Sequence, residues 1–437
     1  MDVSFINNSL APAVAFICAT LISLFAIPIV VRVTSLKGLT DSPGFRKIHD
    51  KAIPTLGGVA LFAGFMVGFL VAINGYMNGV TYFVLATLIL FFAGMKDDLI
   101  TLNPKKKLVA EIIAVLLLVY FTDIRITSFH GFLGISSIPV WATYLVTVFV
   151  MIVVINALNL IDGIDGLAAA TGIVASVTLG IYFLVSGQTG FAIIAASLAG
   201  TLVGFIRFNL SDGKNKIFMG DTGSLLIGFV LAALVILFNQ LHAGNYPVYH
   251  HLSSTPAITI AILIVPLFDT LRVFTVRLLR GQHPFKADNR HIHHLLLRMG
   301  CTHKSAVLRI TLAHISIIAL AFALDHIGIL NLTLVLLTIC LMLTGIIYSV
   351  IYMNYRSGKA VVRKEDYDTI CLITWLHGRL SGKVIPIPIR TNNGIPGKIM
   401  PVTKVLVMKP GIEPIISDLA KEMRTKNEKS FTSHLPG

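Results

Sequence analysis

The chain returns again and again to apolar runs long enough to cross a bilayer, from residue 10 down to about residue 354. A helix needs roughly 20 apolar residues to span the hydrocarbon core. Spans are expected near 10–33, 56–74, 79–95, 107–122, 138–158, 166–187, 189–206, 222–238, 256–277, 307–324 and 329–353. The expected fold is an all-α polytopic membrane protein of about eleven transmembrane helices, N-terminus outside and C-terminus cytoplasmic. Composition agrees: of 437 residues 55% are hydrophobic and only 13% charged, about half the charge of a soluble domain. The opening MDVSFINNSL has no positive n-region, so the first span reads as an uncleaved helix. Cys18, Cys301, Cys340 and Cys371 show no CxxC spacing, which indicates neither a disulfide framework nor a zinc site.

Lysine and arginine test the span count. With the N-terminus outside, the inside loops are 34–55, 96–106, 159–165, 207–221, 278–306 and the tail. Of 35 Lys plus Arg, only Arg125 falls in an outside connection. Miscounting by one span would scramble that segregation downstream, so the positive-inside rule supports both number and orientation. The formal charge of +14 therefore calls for no nucleic acid; topology and attraction to anionic headgroups account for it.

The acids are scarce, and their placement is informative. Fourteen of the 21 precede residue 355, most of them in inside loops or at span ends facing them. Asp97 and Asp98 end the third span, Asp162 and Asp165 interrupt INALNLIDGIDGLAAA, Asp221 opens the eighth span in KIFMGDTGS, and Asp269 lies in PLFDTLRV. A single one of these could serve as a helix cap. Several arriving at one membrane face from different helices point to a shared divalent-metal and phosphate site, because carboxylates at membrane depth are costly unless paired, hydrated or metal-bound. Hard oxygen donors without thiolates suit Mg²⁺, which takes one or two carboxylates plus substrate phosphates. The basic loop RGQHPFKADNRHIHHLLLRMG adds His291, His293 and His294 beside Arg290. Those imidazoles could bind zinc or donate, with Arg290 and Lys286, to a diphosphate. The carboxylates lie elsewhere, so donation to a diphosphate fits this basic loop better.

Six segments in order carry a resemblance. They are DSPGFRKIHDKAIPTLGG (41–58), GMKDDLITLNPKKKL (94–108), NALNLIDGIDGLA (156–168), KIFMGDTGSLLIG (216–228), PLFDTLRV (266–273) and NRHIHHLL (289–296). Together the chain resembles the polyprenyl-phosphate N-acetylhexosamine-1-phosphate transferases. The resemblance implies an enzyme of the bacterial inner membrane with its active site facing the cytoplasm. It would transfer N-acetylglucosamine 1-phosphate from UDP-N-acetylglucosamine to undecaprenyl phosphate, releasing UMP, as a first membrane step of cell-wall or surface-polysaccharide assembly. The cofactor implied is Mg²⁺, with Mn²⁺ as a substitute. A homodimer stays open.

The resemblance also distributes roles. Asp221 becomes the metal ligand, and Asp97 with Asp98 the groups that activate the lipid phosphate. Asp162 and Asp165, with Asn156 and Asn159, fall on the family's DGxDG and NxxN positions. Lys107 is expected near phosphate, with Lys47 and His49 as further substrate contacts. Phe218 would serve as a uracil platform and Asn209 as a nucleotide contact; Asp269, Arg290, His291, His293 and His294 belong to the loop that holds the nucleotide sugar. Isoleucine at position 292 breaks the run of three histidines usual in the branch that transfers phospho-N-acetylmuramoyl-pentapeptide, which favours N-acetylglucosamine and leaves other UDP-N-acetylhexosamines open. Residues 1–355 form the expected transmembrane catalytic domain. Residues 356–437, with strand-like KVIPIPIR and KVLVMKPG, form a cytoplasmic extension without assigned activity. An ion-coupled transporter would also have broken helices and intramembrane acids, but no matching halves are seen. A sensor that uses the same pocket without turnover is a further alternative.

Overall fold

The computed structural model describes residues 3–41, 53–73, 77–132, 134–135, 137–245, 251–279, 281 and 290–356. The chain forms two compact units, Met1–Ile347 and Tyr348–Gly437. Of the second, only the end of the last helix is described. The expected extension therefore lies outside the described residues beyond Arg356, as do Lys47, His49 and Lys286.

The first unit is helical. Its helices are α1 (Val3–Leu36), α2 (Gly57–Ala72), α3 (Val80–Ile100), α4 (Pro104–Thr122), α5 (Val140–Ile161), α6 (Leu167–Val185), α7 (Thr189–Asn209), α8 (Gly220–Gln240), α9 (Thr255–Ile262), α10 (Ile264–Leu279), α11 (Ile292–Arg298) and α12 (His303–Ala323); α13 (Ile329–Arg356) runs on into the second. One two-residue antiparallel ladder pairs β1 (Thr40–Asp41) with β2 (Ile53–Pro54). Among the described residues seven helices (α1, α5, α6, α7, α8, α12 and α13) are long and apolar enough to cross a membrane, and the bent pair α9–α10 gives an eighth if it is one span. The protein is thus a multi-pass, all-α membrane protein. α2 is apolar but has only 16 residues. The cytoplasm-directed ends expected for α3 and α4 carry Lys96, Asp97 and Asp98, and Lys105 to Lys107.

α8 is the axis of the unit. Helices α2, α3, α5, α6 and α7 pack around it, and 94% of its apolar stretch is buried. Small residues permit that enclosure, as they do wherever membrane helices approach closely. A Cβ on Gly58 of α2 or Gly94 of α3 would collide with the backbone of Thr222 and Gly223, at the start of α8. α2 is further docked by its backbone, Gly58 N–H donating to Met219 O at 2.8 Å. The glycines thus bring α2 and α3 onto the turn that carries Asp221.

The ninth span departs from expectation. Instead of one helix over 256–277, α9 and α10 meet at Leu263 with an 81° bend. Pro266 explains it, since proline has no N–H to donate to the carbonyl four residues earlier and its ring crowds that carbonyl. The carbonyl in question is Ile262 O, which accepts instead from His314 Nε2 of α12 at 2.9 Å. His314 is fully buried, so this bond satisfies a carbonyl that no water could reach.

Candidate active site

A cavity of about 630 Å³ opens where the acid-bearing ends meet. Asp97, Asp98, Asp162, Asp165 and Asp221 all line it, with Asn159, Asn209, Phe218 and His294. The five carboxylates come from the end of α3, the turn between α5 and α6, and the first turn of α8.

Their hydrogen bonds separate them by role. Asp221 Oδ1 accepts from Lys107 Nζ of α4 and from Asn159 Nδ2 of α5, the latter at 2.6 Å. Asn159 Nδ2 also reaches Ser224 Oγ, one turn into α8. Asp97 takes Leu102 N–H on Oδ1 at 2.6 Å and Lys107 Nζ on Oδ2 at 3.1 Å. It thereby holds the bend after α3, where Thr101 has φ 46°, a conformation unusual for a β-branched residue. Asp98 does something different. Its oxygens accept from Asp221 N (2.7 Å), Thr222 N (3.1 Å) and Thr222 Oγ1 (2.6 Å). α8 has no side-chain cap of its own, so Asp98 caps it from another helix, placing negative charge where orphan N–H groups and the helix dipole favour it. Asp165 pairs with Lys216 at 2.7 Å.

Asp162 is the acid without a partner; its carboxylate makes no hydrogen bond among the described residues. Burial and the nearby carboxylates of Asp221, Asp165 and Asp98 push its carboxyl well above the usual range. A proton or a bound cation would relieve that crowding. Among the described residues no three His, Cys, Asp or Glu gather tightly enough to hold a metal by themselves. The carboxylate oxygens that Asp162 and Asp221 bring to one cavity are donors of the kind Mg²⁺ takes, with most of its positions left to water and substrate phosphates.

The asparagines also divide. Asn209 Oδ1 accepts from Gly166 N and its Nδ2 donates to Ile217 O at 2.9 Å. Its amide staples two loops of the cavity wall, so it braces the expected nucleotide pocket from behind. Asn156 sits one turn deeper on α5 and donates to Glu111 Oε2 at 2.6 Å; it does not line the cavity. Phe218 stands on the wall, its N–H donating to Pro54 O at 2.9 Å and its carbonyl accepting from Gly57 N at 3.0 Å.

The three histidines go three ways. α11 begins right after His291, but His291 turns to buried Asp269 (Nδ1 to Oδ2, 2.9 Å). Asp269 also accepts from Ile292 N at 2.9 Å and from Arg272 at 2.8 Å, and Arg272 donates to Arg290 O. Asp269 therefore anchors the histidine loop on α10 and stands outside the cavity. His293 is buried with both ring nitrogens unpartnered among the described residues; a Cβ on Gly163 would lie 2.7 Å from its Nε2, so a glycine in the DGIDG turn gives it room. Only His294 lines the cavity, joined there by His303. An imidazole-built zinc site is not assembled among the described residues.

Glycosyl transferase family 4 matches residues 80–239, the stretch that contributes all five acids. The undecaprenyl-phosphate α-N-acetylglucosaminyl 1-phosphate transferase of Yersinia pestis is 31% identical over 288 residues, 65% of this chain and 76% of that protein. The protein of the same name from Escherichia coli K12 is 29% identical over 301 residues, 68% of this chain and 78% of its own. The chain belongs to the polyprenyl-phosphate N-acetylhexosamine-1-phosphate transferase family. It is an enzyme of the transferase type.

For a transferase of this family, the sequence reading omitted several residues that the geometry brings in. Lys216 and Thr222 bond directly to cavity acids; both stand in the KIFMGDTGS segment and were legible as polar neighbours of Asp221. Arg272 follows Asp269 by three positions, the i, i+3 spacing of a helical ion pair. Glu111 is the acid of the apolar run 107–122, and that isolation was its signal.

Proposed function

We propose that the protein transfers N-acetylglucosamine 1-phosphate from UDP-N-acetylglucosamine to undecaprenyl phosphate, giving the lipid-linked diphosphate sugar and UMP. The observation that carries the reading is the convergence of five carboxylates with Lys107 on one cavity at the ends of membrane helices. An acceptor held in lipid and a donor dissolved in water can meet only at such a place. We read eleven spans, taking α2, α3, α4 and the α9–α10 pair as crossing, with the cavity on the cytoplasmic face of a bacterial inner membrane.

In this reading an oxygen of the lipid phosphate attacks the sugar-side phosphorus of the donor. The P–O bond to UMP breaks, and UMP leaves with the electron pair. Asp97 faces the acceptor and Lys107 neutralises charge as it builds on the transferring phosphoryl oxygens. Asp221 and the unpartnered Asp162 would hold Mg²⁺, or Mn²⁺ in its place. That ion supplies Lewis-acid neutralisation of the diphosphate. Phe218 offers a face for the uracil ring, and His294 and Arg290 belong to the donor side. Asp98 keeps the first turn of α8, and with it Asp221, in place.

The test is transfer of label. Purified protein with radiolabelled UDP-N-acetylglucosamine, Mg²⁺ and undecaprenyl phosphate should yield chloroform-soluble label and stoichiometric UMP. Label that stays in the aqueous phase would sink the reading. Label transferred faster from another UDP-N-acetylhexosamine would move the sugar assignment.

A further inference from the structure

Glu111 lies outside the roles given above, and its position is costly. It sits in α4 with 1% of its surface exposed, and its Oε1 is buried without a hydrogen-bond partner among the described residues. A buried acid at membrane depth persists only where something requires it. Its Oε2 accepts from Asn156 Nδ2 at 2.6 Å, and Asn156 Nδ2 also donates to Ile152 O, within its own helix, at 3.0 Å.

The spacing relates this pair to the cavity. Glu111 follows Lys107 by four residues on α4, and Asn156 precedes Asn159 by three on α5. Both steps keep side chains on one helix face. Lys107 and Asn159 meet on the same oxygen of Asp221. Glu111 and Asn156 therefore form a second rung between the same two helices, one turn deeper than the rung that holds Asp221.

We infer that Glu111 is a positioning residue of this transferase: its hydrogen bond with Asn156 fixes the register of α4 against α5, so that Lys107 and Asn159 converge on Asp221. The inference rests on the function proposed above. What it requires is an acceptor oxygen at this place, and a glutamine supplies one. Without the rung the two helices lose their polar link at that depth, and only the rung on Asp221 itself is left to set their register. A shift of 1 Å at a reacting centre costs about a hundredfold in rate.

The experiment compares Glu111→Leu, Glu111→Gln, Asn156→Leu and the double leucine variant in the label-transfer assay. Glu111→Leu should lower kcat by roughly thirty- to a hundredfold with the donor KM nearly unchanged and the protein still monodisperse in detergent. Glu111→Gln should stay within about threefold of wild type, since its amide oxygen can still accept from Asn156 Nδ2. Asn156→Leu should match Glu111→Leu, and the double variant should lose no more than either alone, as coupled partners do. Glu111→Leu protein that is folded and turns over at the wild-type rate would overturn the inference. So would a Gln variant as impaired as the Leu variant, or additive losses. Wild-type protein that makes no labelled lipid would overturn the proposed function and this role with it, whereas an unimpaired Glu111→Leu beside an active wild type removes this role alone.

Discussion

Asp97 and Asp98 are adjacent in sequence and opposite in employment. Asp97 divides its oxygens between its own helix end and Lys107, whereas Asp98 spends both on the start of α8. The adjacent acids were legible as a motif. Their division was not, because the donors to Asp98 lie more than a hundred positions away along the chain. Replacements should separate the two kinds of acid. Asp221→Asn should leave thermal stability in detergent nearly unchanged and cut label transfer by about a hundred- to a thousandfold. Asp98→Ala should lower the melting temperature as well, by an amount equivalent to about 0.5–2 kcal/mol for a lost helix cap. Equal melting of the two variants would remove the cap assignment. His293 makes a further prediction at this scale. Burial, and next the neighbouring His294, lower its pKa from 6.5 to about 3, so the folded protein keeps it neutral. Between those values the unfolded chain binds a proton that the folded chain refuses. His293 thus contributes stability that is present above pH 6.5 and is lost as pH falls toward 3. The difference in melting temperature between pH 7 and pH 5 should therefore be smaller in His293→Gln than in wild type, and an unchanged difference would contradict it.

Among the elements, apolar run lengths were enough to locate the helices, since hydrocarbon admits little else. They were not enough to reveal the break between α9 and α10. Pro266 was visible in the sequence, but prolines occur in membrane helices without bending them so far, as Pro12 and Pro28 lie inside α1. The partner that satisfies Ile262 O, His314, comes from another helix and had no sequence signal beyond a lone histidine in an apolar run. The account predicts a coupling. His314→Leu should destabilise the protein by about 1–3 kcal/mol, the cost of a buried acceptor left unsatisfied. In a Pro266→Ala background residue 266 regains an N–H for that carbonyl, and the same change should cost markedly less. Denaturation of the four proteins in detergent measures it; equal costs in both backgrounds would show that His314 does not act through the break. The histidine loop carries a similar lesson. Three histidines close in sequence suggested one cluster, yet Asp269, Gly163 and the cavity claim one each.

For the molecule as a whole, the expected topology rests on the segregation of lysine and arginine. Single-cysteine variants of a protein freed of Cys18, Cys301, Cys340 and Cys371 test it directly. An impermeant thiol reagent applied to intact cells should label Asn245→Cys and spare Arg390→Cys until the cells are opened. The reverse pattern would invert the protein and move the cavity to the other face. The site was legible at this scale as a gathering of acids on one side. What the sequence could not supply was the wall behind them: Asn209 stapling two loops, Gly58 and Gly94 admitting α8, and Glu111 below the cavity floor each depend on which helices are neighbours.

The crowding of five carboxylates against two described ammonium groups, those of Lys107 and Lys216, has a kinetic meaning. On the function proposed above, such a pocket should behave like a cation-exchange bead, loading positive ions readily and turning away naked anions. A nucleotide diphosphate, itself strongly negative, should therefore enter escorted by a divalent ion or after one, which imposes an order on ligand arrival. Uncharged uridine is exempt from that order. Calorimetry should show UDP-N-acetylglucosamine binding abolished by EDTA and restored by Mg²⁺, with the weak binding of uridine the same in both buffers. Raising monovalent salt in EDTA should recover part of the diphosphate's affinity by screening the repulsion, a reversal of the usual rule that salt weakens the binding of charged ligands.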